Sequence, residues 1–476
     1  MSIGLRASAT SPASVASVHS TCPVLRTTRP GVSAPTLLGR PRFHRVKETD
    51  RDPLRRTVEC VQRPPMRWSR AIAGVAGVLL LAGCGAGAGA ATQAHPPGAA
   101  PAVFTGRPEL LHPGSVTAAD LGADDQAFGL RLLHDVCATE PGTNAVLSPA
   151  SAAQALGMLE IGAVGATRTA LSTLLHEPTY GAAVIAAEHD RTTHLQAVAS
   201  LARSNRLFTQ AGLTPQQATL DDLRTAYGTQ LRTLDFASAP QQSTDEINHL
   251  VSGDTRGLIP TLFGQPLDAS TVAVLTDAIY LKAQWQSPFE SPVPAPFRTA
   301  AGTQITVPTL SSQDAAAPSV SAAGWQSVQL PYAHGQLTAY ALLPPADGKT
   351  CAVPDTATFA ALQHPDPQAT ASVTMPQFHL ARTNELLNVL TQEGLQPGGD
   401  YTGLSSGAHV SDLVQKVDIS VDKNGTTAAA ATGLALATSA RISRTHITLD
   451  RPFLFLVTDT TTNTPLFLTR VADPRG

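Results

Sequence analysis

The segment NAVLSPASAAQALGMLEIGAVGAT, residues 144–167, carries the clearest structural pattern in this chain of 476 residues. Ser148-Pro149 opens a helix, because Ser148 or Ser151 can cap the first turn and proline is tolerated there. Gly162 and Gly165 end the helix. Between these limits apolar residues recur at helical spacing, at Ala155, Leu156, Leu159 and Ile161.

Around this segment, helical patterns dominate the early part of the chain and strand patterns the later part. Residues 124–134 carry apolar side chains at Phe128, Leu130, Leu132 and Leu133. Residues 271–281, TVAVLTDAIYL, form a near-continuous apolar run that is typical of a strand covered on both faces. Helices mainly before strands favour an α+β fold over alternating βαβ units. The further predicted strands are Ala339–Leu343, Ala371–Met375, Val417–Val421, Ile447–Leu449 and Phe453–Val457.

Residues 115–474 show no linker, repeat or second shift in composition, which predicts a single domain. Their motifs, in order and in spacing, resemble those of the serpin (serine protease inhibitor) family. The resemblance implies the α+β serpin fold, in which a helical bundle packs on a large mixed sheet, two smaller sheets are added, and a reactive-centre loop is exposed. The motifs are Asn144–Pro149 with Ala155–Leu159, Ser204–Phe208, Ile247-Asn248 with Thr255–Ile259, Thr271–Trp285 and Arg451–Phe455.

The resemblance also implies a function, the suicide inhibition of a serine protease. The protease serine attacks the loop and forms an acyl-enzyme. The cleaved loop then inserts into the main sheet as an extra strand, and the distorted protease is trapped. Residues of the inhibitor supply the substrate and the inserting strand, so the resemblance implies neither an enzyme nor a cofactor. A non-inhibitory serpin that acts as a binding module is the alternative.

Residues 424–432, NGTTAAAAT, resemble the hinge of inhibitory serpins, although Asn-Gly alone also indicates a turn. Residues of an inserted strand alternate between the two faces of the sheet. No position after Gly425 is bulky, charged or proline, so the hinge permits insertion. We expect the loop, including Thr426, to be exposed before cleavage. One face of the inserted strand would carry Thr426, Ala428, Ala430 and Thr432, and the other Thr427, Ala429 and Ala431.

The chain departs from the family pattern at two positions. Lys423 stands where the family usually has Glu, two residues before the hinge glycine, and Asp277 replaces the Asn of the usual NAIY motif. Trp285 resembles the tryptophan beneath the point where insertion begins, and an ordinary core aromatic is compatible with that role.

The resemblance places the scissile bond about fourteen residues after the hinge glycine, which is Ser439-Ala440 when counted from Gly425. A small residue there suits an elastase- or subtilisin-like protease with a shallow primary pocket. The alternative bond is Arg441-Ile442, which a trypsin-like protease would choose for its charge.

Three segments precede the predicted domain. Residues 1–65 are either a disordered tail or untranslated, with the true start at Met66. Residues 66–84 resemble a bacterial lipoprotein signal, with Leu81-Ala82-Gly83-Cys84 as the lipobox and Cys84 as the lipidated residue; an ordinary signal peptide is the alternative. Residues 85–114 read as a flexible tether. The expected location is outside the cytoplasm, either lipid-anchored to the outer face of the cell membrane or secreted.

The charge distribution and the cysteine content restrict the kinds of binding partner and the cellular compartment that the sequence predicts. Residues 1–83 hold 13 Lys and Arg against 4 Asp and Glu, which leaves a net charge of −12 on the remainder and argues against nucleic-acid binding. Lys occurs five times against 28 Arg, which favours a high-GC bacterial genome. Cys137 and Cys351 either pair, as an exported location permits, or remain separate buried thiols. We expect a monomer that contacts the membrane only through its lipid.

A hydrolase is the rival class. Residues 403–407, GLSSG, match the G-x-S-x-G pattern, but Pro397–Tyr401 before them is turn material rather than the strand that a nucleophile elbow needs. The 14 His form no H-E-x-x-H motif and the Cys form no Cys-x-x-Cys, so no metal site is predicted.

Overall fold

The computed structural model describes residues 99–112, 114–178, 180–312, 317–346, 351–426 and 445–476. The helices there are α1 (Ala118–Thr139), α2 (Pro149–Gly162), α3 (Gly165–Leu175), α4 (Ala182–Gln196), α5 (Gln217–Tyr227), α6 (Pro240–Asp254), α7 (Thr356–Leu362) and α8 (Leu386–Gln392). The strands are β1 (Ala102–Phe104), β2 (Ala145–Leu147), β3 (Leu201–Gln210), β4 (Leu231–Leu234), β5 (Ala273–Leu281), β6 (Ala283–Gln284), β7 (Val293–Arg298), β8 (Gln304–Ser311), β9 (Ala317–Ala322), β10 (Trp325–Pro331), β11 (Leu337–Leu343), β12 (Asp366–Pro376), β13 (Phe378–Glu385), β14 (Asp412–Val421), β15 (Gly425–Thr426), β16 (Thr445–Thr448), β17 (Phe453–Asp459) and β18 (Pro465–Val471).

The α+β prediction is confirmed, with two hydrogen-bonded sheet assemblies. A mixed sheet has the order β1-β4-β3-β5-β14-β15-β6, and β13 pairs with β14. The second assembly has the order β2-β18-β17-β11-β10-β9-β12-β8-β7, and β16 pairs with β12. It unites the two smaller sheets that the resemblance implies, because β9 pairs with both β10 and β12.

Strand β5 lies at the centre of the mixed sheet. All nine of its residues are buried, as its apolar run predicts. It pairs antiparallel with β3 and parallel with β14, from Val274 opposite Asp412 to Tyr280 opposite Asp418. We call this β5–β14 boundary the seam.

Helix α2 is buried along its whole length behind the sheet. Its bounds agree with the sequence prediction, and Gly165 follows with a positive φ of 58°. The predicted cap is absent, since the Ser148 side chain makes no capping hydrogen bond. Its backbone amide and carbonyl instead bond the side-chain amide of Gln415 on β14, which ties the start of α2 to the seam.

The folded unit begins before Ser115, the predicted boundary. Ala102–Phe104 forms the edge strand β1 paired with β4, and the backbone amide of Arg107 donates to Asp221 at 2.6 Å. The tether predicted over 85–114 therefore extends too far, because part of it adds a strand to the mixed sheet. Cys137 and Cys351 form a disulfide, which settles the alternative left open above. No helix in the described ranges is long and apolar enough to cross a membrane.

Candidate functional site

The candidate site is the end of the mixed sheet where the chain leaves β14. After Val421 the backbone turns and re-enters the sheet as β15, which runs antiparallel to both of its neighbours. Thr426 lies opposite Val421 on one side and opposite Ala283 of β6 on the other. The first two residues of the predicted hinge are thus already a strand between β14 and β6. We call this pair, Gly425-Thr426, the insertion point.

Glycine is required at the first of these positions because the neighbouring backbone is so close. A Cβ atom built on Gly425 would lie 2.0 Å from the carbonyl oxygen of Ala283 and 2.8 Å from the Cα of Gln284. Any side chain there would force β6 away from β15. The hinge glycine therefore allows the backbone to enter the sheet.

Thr426 is buried, contrary to the exposure expected before cleavage. It is 0% exposed, and its hydroxyl shares a hydrogen bond with the phenol of Tyr332, at 2.5 Å between the oxygens. Burial raises the pKa of Tyr332, so the phenol is neutral and can donate. The expectation failed because the loop begins to pair within the sheet at Gly425.

Trp285 packs beside the turn that leads into the insertion point. Its indole stacks on Tyr332 with ring centroids 4.4 Å apart, and Phe289 and Phe455 meet it edge-on at 5.9 and 6.4 Å. The indole N–H donates to the carbonyl of Asp422 at 2.9 Å. The residue is only 3% exposed, so it is a core aromatic that also fixes the turn before the hinge.

Backbone contacts and one carboxylate hold that turn. Oδ1 of Asp422 accepts from the amides of Asn424 and Gly425 at 2.7 and 3.1 Å. The amide of Phe289 donates to the carbonyl of Lys423 at 2.8 Å. Among the described residues the Lys423 ammonium bonds Ser291 Oγ, at 3.4 Å, so the lysine that replaces the usual Glu makes a weak side-chain contact.

A buried hydrogen bond between two polar side chains crosses the seam, farther along β14 from the insertion point. Gln415 Nε2 donates to Asp277 Oδ2 at 2.5 Å and to the Ser148 carbonyl at 2.9 Å. Asp277 is fully buried, and this burial raises its pKa to about 7 despite hydrogen bonds from Gln415 and Ser151 and the charge of Arg203. We call Asp277 and Gln415 the seam pair, because opening the seam would break their hydrogen bond.

Sequence reasoning missed two of these residues. Tyr332 follows β10 and comes to Thr426 from 94 positions away, a contact with no local pattern. Gln415 stands opposite Asp277 of the apolar strand β5, but β14 carries several polar residues, so its sequence does not single Gln415 out. Several predicted residues lie outside the described residues: Cys84, Thr427, Ala428, Ala429, Ala430, Ala431, Thr432, Ser439, Ala440, Arg441 and Ile442.

The surroundings of Ser405 do not match a hydrolase elbow. Gly403–Gly407 lies in the turns between α8 and β14, and Ser405 Oγ accepts from the Thr214 amide at 3.3 Å. Within the described ranges no three His, Cys, Asp or Glu residues form a group that could hold a metal ion.

Comparisons with known proteins agree with this geometry. The family model "Serpin (serine protease inhibitor)" matches residues 123–474. Mouse leukocyte elastase inhibitor A is 28% identical over 390 residues, covering 74% of this chain and 99% of the relative, and human Serpin B11 is 28% identical over 382 residues, covering 73% and 97%. The crystal structure of human thyroxine-binding globulin shares the fold with a TM-score of 0.67 at 24% identity, covering 76% of this chain and all of that one.

Proposed function

The chain belongs to the serpin family, and we propose that it is a suicide inhibitor of serine proteases. The observation that carries this proposal is the position of Gly425-Thr426 between β14 and β6, which is the first step of strand insertion taken before any cleavage. A loop that already begins to pair needs only to continue along the seam. The domain itself then performs no catalysis.

The register supports continuation over the whole hinge. Thr426 is opposite Val421 and Ala283, and each further residue of an antiparallel strand moves one position back along both neighbours. Continued in this register, Thr432 comes level with Asp277 and Gln415, which are themselves opposite each other. The Thr432 hydroxyl would therefore lie beside the seam pair once β5 and β14 have separated. Ala428 and Ala430 would lie in the apolar stretch between the insertion point and the seam pair.

The proposed reaction balances without a cofactor. The protease serine oxygen attacks the carbonyl carbon of Ser439, the peptide bond to Ala440 breaks, and the new amine leaves with a proton. Residues 425–439 remain joined to the protease as an ester. Insertion then carries the ester along the seam, and loss of the oxyanion hole stops its hydrolysis.

The proposed target has a small primary pocket, as elastase- and subtilisin-like proteases do, with Ser439 before the scissile bond. A trypsin-like target that cuts at Arg441-Ile442 is the alternative. The name of one relative, leukocyte elastase inhibitor A, agrees with the first choice. We propose that the inhibitor works as a monomer, because trapping needs one loop and one sheet.

We also propose that this is a bacterial lipoprotein displayed outside the cytoplasmic membrane through Cys84. The lipobox motivates the proposal, and the disulfide between Cys137 and Cys351 is of the kind that persists in oxidising compartments. Cys84→Ala should move the protein from the membrane fraction to the medium or block its processing. Unchanged fractionation would contradict lipidation and leave the inhibitory proposal intact.

Incubation with elastase, subtilisin and trypsin, followed by denaturing gels, tests inhibition directly. A complex that resists SDS is expected with at least one of them, and mass spectrometry of the released peptide locates the cut. Cleavage without a complex would overturn the inhibitory proposal. Such a protein should be heated before and after cleavage, because unchanged melting would favour the non-inhibitory binding module.

A further inference from the structure

A cavity of about 490 Å³ opens on the side of the molecule where α2, α4 and β3 meet the chain that follows α5. Met158 and Tyr227 line its apolar part, and Tyr227 stands close over α2, because a Cβ on Gly157 would lie 2.1 Å from its hydroxyl. None of the aromatic residues around Thr426 lines this cavity. Loop insertion as proposed above does not require it.

Two buried polar groups that line the cavity lack partners. The Gln154 side chain is 2% exposed, and its Nε2 makes no hydrogen bond, although its Oε1 accepts from Arg203 Nη1 at 2.6 Å. The buried hydroxyl of Thr192 is also without a partner. Buried polar groups without a hydrogen bond are unfavourable, so a ligand that bonds them gains affinity.

Three arginines line the cavity against one lining carboxylate, Asp254, and the nearby carboxylates of Glu188 and Asp277 also act on Arg203. Among the described residues Arg203 bonds the Gln154 side chain and the Thr192 carbonyl, and no carboxylate there forms an ion pair with it. Burial, followed by the nearby charge of Arg191, lowers the pKa of Arg203 to about 10, and it remains a cation at neutral pH. Arg224 bonds the backbone carbonyl of Gly228, and Arg206 pairs with the carboxylate of Asp254.

We propose that this cavity binds a small polycarboxylate anion. One carboxylate of the ligand accepts from the guanidinium of Arg203 and from Nε2 of Gln154, and Arg224 at the rim pairs with another. The amide and hydroxyl lining suits a polar body, and the volume suits a molecule of the size of citrate. Arginine beside a buried amide recognises a carboxylate by both charge and hydrogen-bond geometry.

The test uses citrate as the probe and glucose as a neutral compound of similar size, at constant ionic strength and pH 7.5. Calorimetric titration should show saturable binding of citrate to the full-length protein and none of glucose. Arg203→Gln should weaken citrate binding at least tenfold. Arg232→Gln removes one positive charge from an ion pair with Glu246 away from the cavity and should leave citrate binding unchanged.

A second variant covers the case in which Arg203→Gln does not fold. Gln154→Glu has nearly the same shape, places a carboxylate against Arg203, and should abolish citrate binding while raising the melting temperature. The proposal is overturned if the wild type shows no saturable citrate binding, if glucose binds equally well, or if Gln154→Glu binds citrate like the wild type.

Discussion

The insertion point and the seam lie in one sheet and share β14 as a neighbour, but the first already holds an added strand and the second is closed. At the insertion point β15 separates β14 from β6 over an aromatic bed of Trp285 and Tyr332. Along the seam β14 pairs directly with β5, and the seam pair Asp277–Gln415 bonds across the boundary. At the insertion point the entering strand already has a hydroxyl partner in Tyr332, whereas a strand that enters the seam must replace the hydrogen bond between Asp277 and Gln415.

The largest effect is expected from Thr426→Arg at the insertion point. The guanidinium would be buried without a partner in the uncleaved protein, at a cost of roughly 3–5 kcal/mol. Thermal unfolding should show a large fall in melting temperature, and protease complexes should be lost. Thr426→Ser keeps the hydroxyl that bonds Tyr332 and serves as the matched control. A Thr426→Arg variant with wild-type melting would show that the hinge does not pair in the uncleaved state.

The second-largest effect is expected in the pH dependence of folding stability, through Asp277 of the seam pair. The pKa of Asp277 is about 7 in the folded protein and near 3.8 in the unfolded chain. The stability that its protonated form contributes is therefore fully present below pH 3.8 and is lost as the pH rises through about 7. The full shift corresponds to at most about 4 kcal/mol. Asp277→Asn should raise the stability of the protein at pH 8 and leave it little changed at pH 4.

Chemical unfolding at several pH values measures this effect as the difference between Asp277→Asn and the wild type. Burial also raises the pKa of Asp125 and of Glu160 to about 7, so these two groups add their own pH dependence. Because the wild type and Asp277→Asn both contain them, taking the difference removes their contribution. Arg203 on β3 is the charged group that acts on Asp277, and Gln415 and Ser151 are its neutral partners. A difference that does not vary with pH would show that Asp277 is ionised throughout.

The helices and strands that form these two regions could be predicted from local sequence patterns, but the long-range contacts that hold them could not. The apolar run of β5 and the glycine-rich end of α2 were readable because each depends on neighbours in sequence. The burial of Thr426 depends on Tyr332, which lies far away in the chain, so the hinge pattern alone predicted exposure wrongly. Ser148 was expected to cap α2, but Gln415 from β14 occupies the backbone groups at that end.

A smaller effect on the melting temperature of the cleaved protein is expected from Thr432, the hinge residue that would lie at the seam pair after insertion. In the continued register its hydroxyl replaces the bond between Asp277 and Gln415. Thr432→Val would leave Asp277 and Gln415 each short of one hydrogen bond in the inserted form, at about 1–3 kcal/mol. The melting temperature of the cleaved protein should fall, and that of the uncleaved protein should not. Thr427→Val, which faces the other side of the inserted strand, is the control. Equal melting of both cleaved variants would place the register elsewhere.

The smallest effect is expected from Lys423→Glu, which restores the residue usual in the family. The side chain has one weak contact, to Ser291 Oγ at 3.4 Å, whereas the turn is held by its backbone carbonyl and by the carboxylate of Asp422. Lys423 is half-buried and its side chain makes no strong contact with the described residues, so its substitution should change stability by no more than about 0.5 kcal/mol. Thermal unfolding and the amount of inhibitor consumed per protease should both stay near wild type. Asp422→Ala removes the acceptor of two backbone amides and should cost more, about 1–2 kcal/mol. A large effect of Lys423→Glu beside a small effect of Asp422→Ala would mean that side-chain charge, rather than the backbone turn, sets how the hinge enters the sheet.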